Sequence, residues 1–213
     1  LKIHILENVF FLIKGNFHMN SLLKTSLLGL ALVSTASMAE LADFTGPEVG
    51  ATLAISNGKL KTGGKSLSDT SAGVALHGGY VMEATKDIAV LFGIDYNLTN
   101  VKSGTGESDE EGRQKIYFKN PYSLSLGAGS LVNDNTLAYA KVSYESAKYS
   151  YGKTNSTLKG YGLGAGARYL LNKTTYVQAE LKYTKYTKND GENIDDANVS
   201  NTQFNIGLGM MFK

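Results

Sequence analysis

The chain has 213 residues, among them 24 Gly, 13 Tyr and 8 Phe, with only 2 Pro and neither Cys nor Trp. Absence of cysteine excludes a disulfide framework, a thiolate zinc site and a cysteine nucleophile, and a formal charge of +2 is too small for nucleic-acid binding through a basic excess. A hydrophobic fraction of 42% excludes a disordered chain.

The N-terminal part differs in kind from the rest. Met19 to Lys24 is a short basic start, Thr25 to Ser34 is an apolar run, and Ser37-Met38-Ala39 supplies the small residues a signal peptidase reads. The apolar run is too short to span a bilayer, which takes about 20 apolar residues in a helix. We therefore expect a secretory signal peptide over 19–39, cleaved between Ala39 and Glu40, with cleavage after Ala36 as the second choice. Residues 1–18 precede a good initiator Met and read as upstream extension, leaving 40–213 as one mature domain. Lys2, Lys14, Lys24 and Glu7 fall before that domain, so its own charge balances, and all the tyrosines lie within it. A secreted chain without disulfides needs extensive backbone pairing or a membrane for its stability.

From Val49 onwards the side chains alternate with period two, the signature of strands. The first segment sets Val49, Ala51, Leu53 and Ile55 against Gly50, Thr52, Ala54 and Ser56. The second sets Val74, Leu76, Tyr80 and Met82 against Ala75, His77 and Gly79, and the third sets Ile88, Phe92, Ile94 and Tyr96 against Ala89, Gly93 and Asp95. A fourth runs through Ile116, Phe118, Tyr122, Leu124 and Leu126, and a fifth sets Ala140, Val142 and Tyr144 against Lys141, Ser143 and Glu145. The sixth opposes Tyr161, Leu163, Ala165, Ala167 and Tyr169 to Gly160, Gly162, Gly164, Gly166 and Arg168. In the seventh, Val177, Ala179, Leu181 and Tyr183 oppose Gln178, Glu180, Lys182 and Thr184. The eighth opposes Phe204, Ile206, Leu208, Met210 and Phe212 to Gln203, Asn205, Gly207 and Gly209. Eight strands are predicted, and no helix.

The connections alternate in length. Short polar links lie at 83–87, 132–136 and 172–175, and long ones at about 57–70, 99–114, 147–157 and 187–201. Tight turns and both chain ends thus share one side and long loops the other, the asymmetry of outer-membrane barrels. Face polarity points the same way: one face is Leu, Ile, Val, Phe and Tyr, the other Gly, Ser, Thr, Asn, Gln and scattered charge. Turned inward, the apolar face would leave a soluble barrel with a surface largely of glycine and serine. Turned outward, it faces lipid, and the glycines fit a narrow eight-stranded lumen. The expected fold is all-β, an eight-stranded antiparallel up-and-down transmembrane barrel with short periplasmic turns, four long extracellular loops and tyrosine girdles at the interfaces.

Gly160 to Tyr186 resembles the sixth and seventh strands of OmpA-like, OmpX-like and opacity-type outer-membrane barrels, with a glycine-rich strand, a tight turn and then Ala-Glu-x-x-Tyr. Phe44 to Ala51 resembles their first strand and Phe204 to Phe212 their last. The resemblance implies a porin-family barrel in the outer membrane of a Gram-negative bacterium, with outer-membrane lipid, lipopolysaccharide and the barrel assembly machinery as partners. It departs at the C-terminus, where Lys213 follows the aromatic Phe212 that would serve as the assembly signal. The peptidoglycan-binding domain of OmpA itself is not implied.

The inward charges are expected to form a lumenal network of His77, Asp95, Lys141, Glu145, Arg168, Glu180 and Lys182, with Arg168 opposite Glu180 and paired to it, because buried charges persist only when paired. Its bland reading is structural; the sharper one is a gate on a narrow conductance. Catalysis would require His77 with Asp95 and Ser125 as partners, a poor fit to a narrow lumen, and the alternating glycines lack the helix that a dinucleotide fingerprint needs. Glu107, Asp109, Glu110 and Glu111 in the second loop, Asp190, Glu192, Asp195 and Asp196 in the fourth, and Lys59, Lys61 and Lys65 in the first are read as solvated loop charges, with a cation site or a lipopolysaccharide contact as the alternative. The expectation is a monomeric, non-enzymatic barrel without cofactor, metal or nucleic acid, acting in envelope integrity, adhesion or host contact, or as a narrow channel.

Overall fold

The computed structural model describes residues 40–62, 65–108, 112–151, 154–189, 192–193 and 197–213. The expected signal peptide, residue Ala39 and the upstream extension lie outside them, as do Asp109, Glu110, Glu111, Asp190, Asp195 and Asp196. A short 3-10 turn, Leu41–Phe44, leads into ten strands: β1 (Gly46–Thr62), β2 (Lys65–Thr85), β3 (Ile88–Asn97), β4 (Val101–Ser108), β5 (Gly112–Asn133), β6 (Thr136–Tyr151), β7 (Thr154–Leu170), β8 (Thr175–Asn189), β9 (Glu192–Asn193) and β10 (Ala197–Met211).

These make eight staves. β3 and β4 both pair with β5 and form one interrupted stave, and β9 is a two-residue return within the last hairpin. Every pairing is antiparallel, and the sheet closes because β10 pairs with both β8 and β1, from Glu48 opposite Met211 to Thr62 opposite Ala197. Closure removes the free edge, which hydrocarbon cannot hydrogen-bond. Gly46 supports the entry to β1: its φ of +122° suits only glycine, and the Phe212 amide donates to the Pro47 carbonyl at 2.8 Å.

The long connections are paired ribbon rather than open chain. β1 and β2 stay in register out to Thr62 and Lys65, and β6 and β7 out to Tyr151 and Thr154. Among the described residues of these two ribbons the register does not slip, and both prolines lie elsewhere. Pro121 falls inside β5, where it has no amide to offer the ladder, and the register with β6 slips between Lys119 and Tyr122.

The two faces follow the alternation. Val49, Leu53, Ile55, Leu76, Phe92, Ile94, Leu124, Leu126, Val142, Leu163, Leu181 and Leu208 are all exposed, Leu53 by 67% and Leu163 by 65%. Such a belt has no place in water. At its margin away from the tight turns Tyr96, Tyr122, Tyr144, Tyr161 and Tyr183 follow one another across β3, β5, β6, β7 and β8, with Tyr144 and Tyr161 in edge-to-face contact at 6.1 Å.

Candidate functional site

The lumen contains three layers. Next to the tight turns, inward residues are apolar: Val81, Ala89, Leu91, Leu137, Leu170, Tyr176 and Met211 pack around Leu41 and Phe44 of the 3-10 turn. Phe44 and Leu137 are completely buried. At the opposite end a smaller cluster joins Ala147, Leu158, Tyr186 and Val199, with Leu60 against it. Between them lie the charges.

An unbroken series of alternating charges crosses this middle layer. Arg168 donates from Nη1 to Glu48 Oε2 at 2.7 Å and from Nη2 to Glu48 Oε1 at 2.8 Å. Glu48 Oε1 also meets His77 Nε2 at 2.8 Å, and His77 Nδ1 meets Asp95 Oδ1 at 2.8 Å. Lys141 Nζ bridges Asp95 Oδ2 at 3.4 Å and Glu180 Oε2 at 2.8 Å. Glu180 accepts further from the Tyr139 hydroxyl at 2.8 Å and from Asn205 Nδ2 at 3.4 Å. Separately, Lys182 pairs with Glu145 at 3.1 Å, and Ser143 donates to the same carboxylate at 2.6 Å.

All seven residues singled out from the sequence thus sit inside the barrel. The expected Arg168–Glu180 pair does not form. Arg168 stands opposite Gln178 and Glu180 opposite Gly166, so the register runs two residues away from the count through the turn. The guanidinium instead reaches across the lumen to Glu48, held between the rings of Tyr176 at 4.8 Å and Tyr139 at 5.3 Å. Glu145 is held by Lys182 on β8.

Glu48 was missed. Its signal was parity, since it shares the phase of Gly50, Thr52 and Ser56. Including it makes four carboxylates, Glu48, Asp95, Glu145 and Glu180, against Lys141, Arg168 and Lys182. An imidazole between two carboxylates suits the doubly protonated ring, because ionised carboxylates only accept; with His77 as the fourth cation the interior is neutral. Glycines make room for it. A Cβ on Gly79 would stand 2.9 Å from Glu48 Oε1, and one on Gly93 3.1 Å from His77 Cε1.

Of the two expected partners of the His77 imidazole, Asp95 faces it and Ser125 does not. Both ring nitrogens face carboxylates, and the Ser125 hydroxyl donates to the Gly93 carbonyl at 3.3 Å. Among the described residues no group of acidic and histidine side chains is arranged to hold a metal ion. At the C-terminus Phe212 is half-exposed on the outer face, and Lys213 Nζ reaches the Ala42 carbonyl at 3.1 Å and Asp43 at 3.4 Å.

A closed antiparallel sheet, apolar outside and charge-paired inside, defines a transmembrane β-barrel. Residues 25–212 match the outer membrane protein beta-barrel domain, and the chain belongs to that family. Among solved structures it is similar to Neisserial surface protein A, at 18% identity over 79% of this chain and 98% of that one, with a TM-score of 0.51. It is similar to OprG of Pseudomonas aeruginosa at 12% identity over 79% and 96%, with a TM-score of 0.52. The attachment invasion locus protein Ail of Yersinia pestis aligns at 19% identity over 78% and 99%, with a TM-score of 0.48. No curated protein matches in sequence.

Proposed function

We propose that this barrel is a structural and surface-contact protein of the Gram-negative outer membrane, and that it makes its contacts through the extracellular ribbons rather than by conducting solutes. The observation that carries this reading is the filled lumen. An apolar plug around Phe44 and Leu137, a neutral set of paired charges and a second apolar cluster at Leu158 and Tyr186 follow one another along the axis. An eight-stranded barrel is only just wide enough for its own side chains, and water passage would require both clusters to part. In this reading a leader over 19–39 directs export, Phe212 serves the assembly machinery, and the barrel stands as a monomer among lipopolysaccharide. The ribbons would serve adhesion, host contact or envelope integrity, with no cofactor and no chemistry at His77.

Planar-bilayer recording of the refolded protein tests it. The expected trace has no discrete steps, whereas reproducible single-channel steps that change with Arg168→Ala would establish instead a narrow channel gated by the ion pairs. Trimming the β1–β2 ribbon should leave heat-modifiable gel mobility intact while weakening binding of cells to host surfaces.

A further inference from the structure

We propose that the outer wall of β5–β8 is a docking site for a phosphorylated acyl glycolipid of the outer leaflet, with acyl chain in a groove of the apolar belt and phosphate against Lys185. The inference rests on the outer-membrane reading above and deepens it by assigning a place to one lipid. The belt opens there into a groove of about 700 Å³, floored by Leu126, Val142 and Leu163. Its outer rim changes character: Tyr144, Tyr161 and Tyr183 line it together with Lys185. Tyr161 and Lys185 are direct neighbours across the β7–β8 ladder. An apolar slot with hydroxyl donors and a cation at one end matches an amphiphile with an anionic head.

Charge favours that occupant. Glu145 and Glu180 are the only carboxylates on these four strands, and both are buried in the lumen against lysines. The outer wall of β5–β8 therefore carries no acid to neutralise Lys185, which has no ion-pair partner among the described residues. Lys159 and Lys148 stand on the adjacent β7 and β6, half-exposed and exposed. On the other wall Lys59 of β1 is also exposed, but its strand contributes no residue to the groove and lies next to the strand bearing Asp69. Binding should thus be localised rather than spread around the belt. Each lysine close to an anionic lipid surface contributes roughly a fivefold factor in affinity.

The test uses the full mature barrel refolded in phosphate-free detergent micelles, with bound lipid counted by native mass spectrometry. Probes are lipid A, the same lipid with its phosphates removed, and inorganic phosphate alone. The expected result is one lipid A retained, weaker retention of the dephosphorylated lipid, and no effect of inorganic phosphate. Lys185→Gln with Lys159→Gln should weaken lipid A by roughly 25-fold, a factor of five for each charge, whereas Lys59→Gln should change it less than twofold. Tyr161→Phe, which keeps the ring and loses only the hydroxyl, should give a smaller loss in the same direction. Equal retention by all variants, an equal loss with Lys59→Gln, or saturation by inorganic phosphate would overturn the site. Heat-modifiable mobility, measured on each sample, separates the two levels: a normal shift with indifferent binding removes the site alone, and no shift in the unmodified protein removes the membrane reading with it.

Discussion

Replacing Arg168 with alanine tests the organisation of the lumen most directly. The guanidinium makes two charged hydrogen bonds to Glu48, at 2.7 and 2.8 Å, in a site where both side chains are almost wholly inaccessible. It also lies over the Tyr139 and Tyr176 rings. Removing one partner of a buried pair costs about 3–5 kcal/mol, because the other charge is stranded. Here Glu48 keeps His77 at 2.8 Å, which places the expected loss near the lower end, about 3 kcal/mol. Urea unfolding of the barrel in lipid vesicles, followed by gel mobility, reads this directly. A double-mutant cycle with Glu48→Gln should give a coupling of at least about 1.5 kcal/mol. The cycle with Glu180→Gln should give less, since that carboxylate touches Arg168 only by way of Tyr139. A loss below about 1 kcal/mol, or stronger coupling to Glu180 than to Glu48, would refute the assigned pairing.

Phe44→Ala empties the centre of the periplasmic plug and should cost about 3–5 kcal/mol, read as a lower temperature for the gel-mobility shift; an unchanged midpoint would mean the 3-10 turn does not pack inside. Ile94→Lys, on the exposed belt, should cost about 2–4 kcal/mol in bilayers and almost nothing if that face were wet. Gly209→Ala should sharply lower folding yield, because a methyl there collides with the Tyr176 ring; normal yield would show that ring free to move aside.

Much of the architecture was legible because period two is a local property. Val142 and Lys141 declare their faces from neighbours one and two residues away. What was not legible depends on closure. Arg168 and Glu48 are 120 positions apart and meet only because β10 zips onto β1. Glu48 also sits immediately after Pro47, ahead of the run from which the first strand was read. The Arg168–Glu180 pairing failed for a smaller reason: the turn at 171–174 sets Leu170 opposite Tyr176, and that offset places Gln178 across from Arg168. Inward Leu137, Leu170 and Val81 break the rule that the lumen face is polar, because near the mouths those positions pack on each other rather than on charge. The third stave divides at Leu98–Asn100, ahead of a β5 whose proline shifts its register.

The series of lumenal charges also constrains how the barrel can come into being. Glu48 belongs to β1, His77 to β2, Asp95 to β3, Lys141 to β6, Arg168 to β7 and Glu180 to β8, so no single hairpin holds the whole series. A sheet that entered the bilayer half-curled would carry stranded ions into hydrocarbon, at a cost of several kcal/mol each. Insertion one hairpin at a time is therefore penalised at every stage, and the penalty vanishes only when the first and last strands join. Electrostatics thus favours the closed barrel over any open sheet in hydrocarbon.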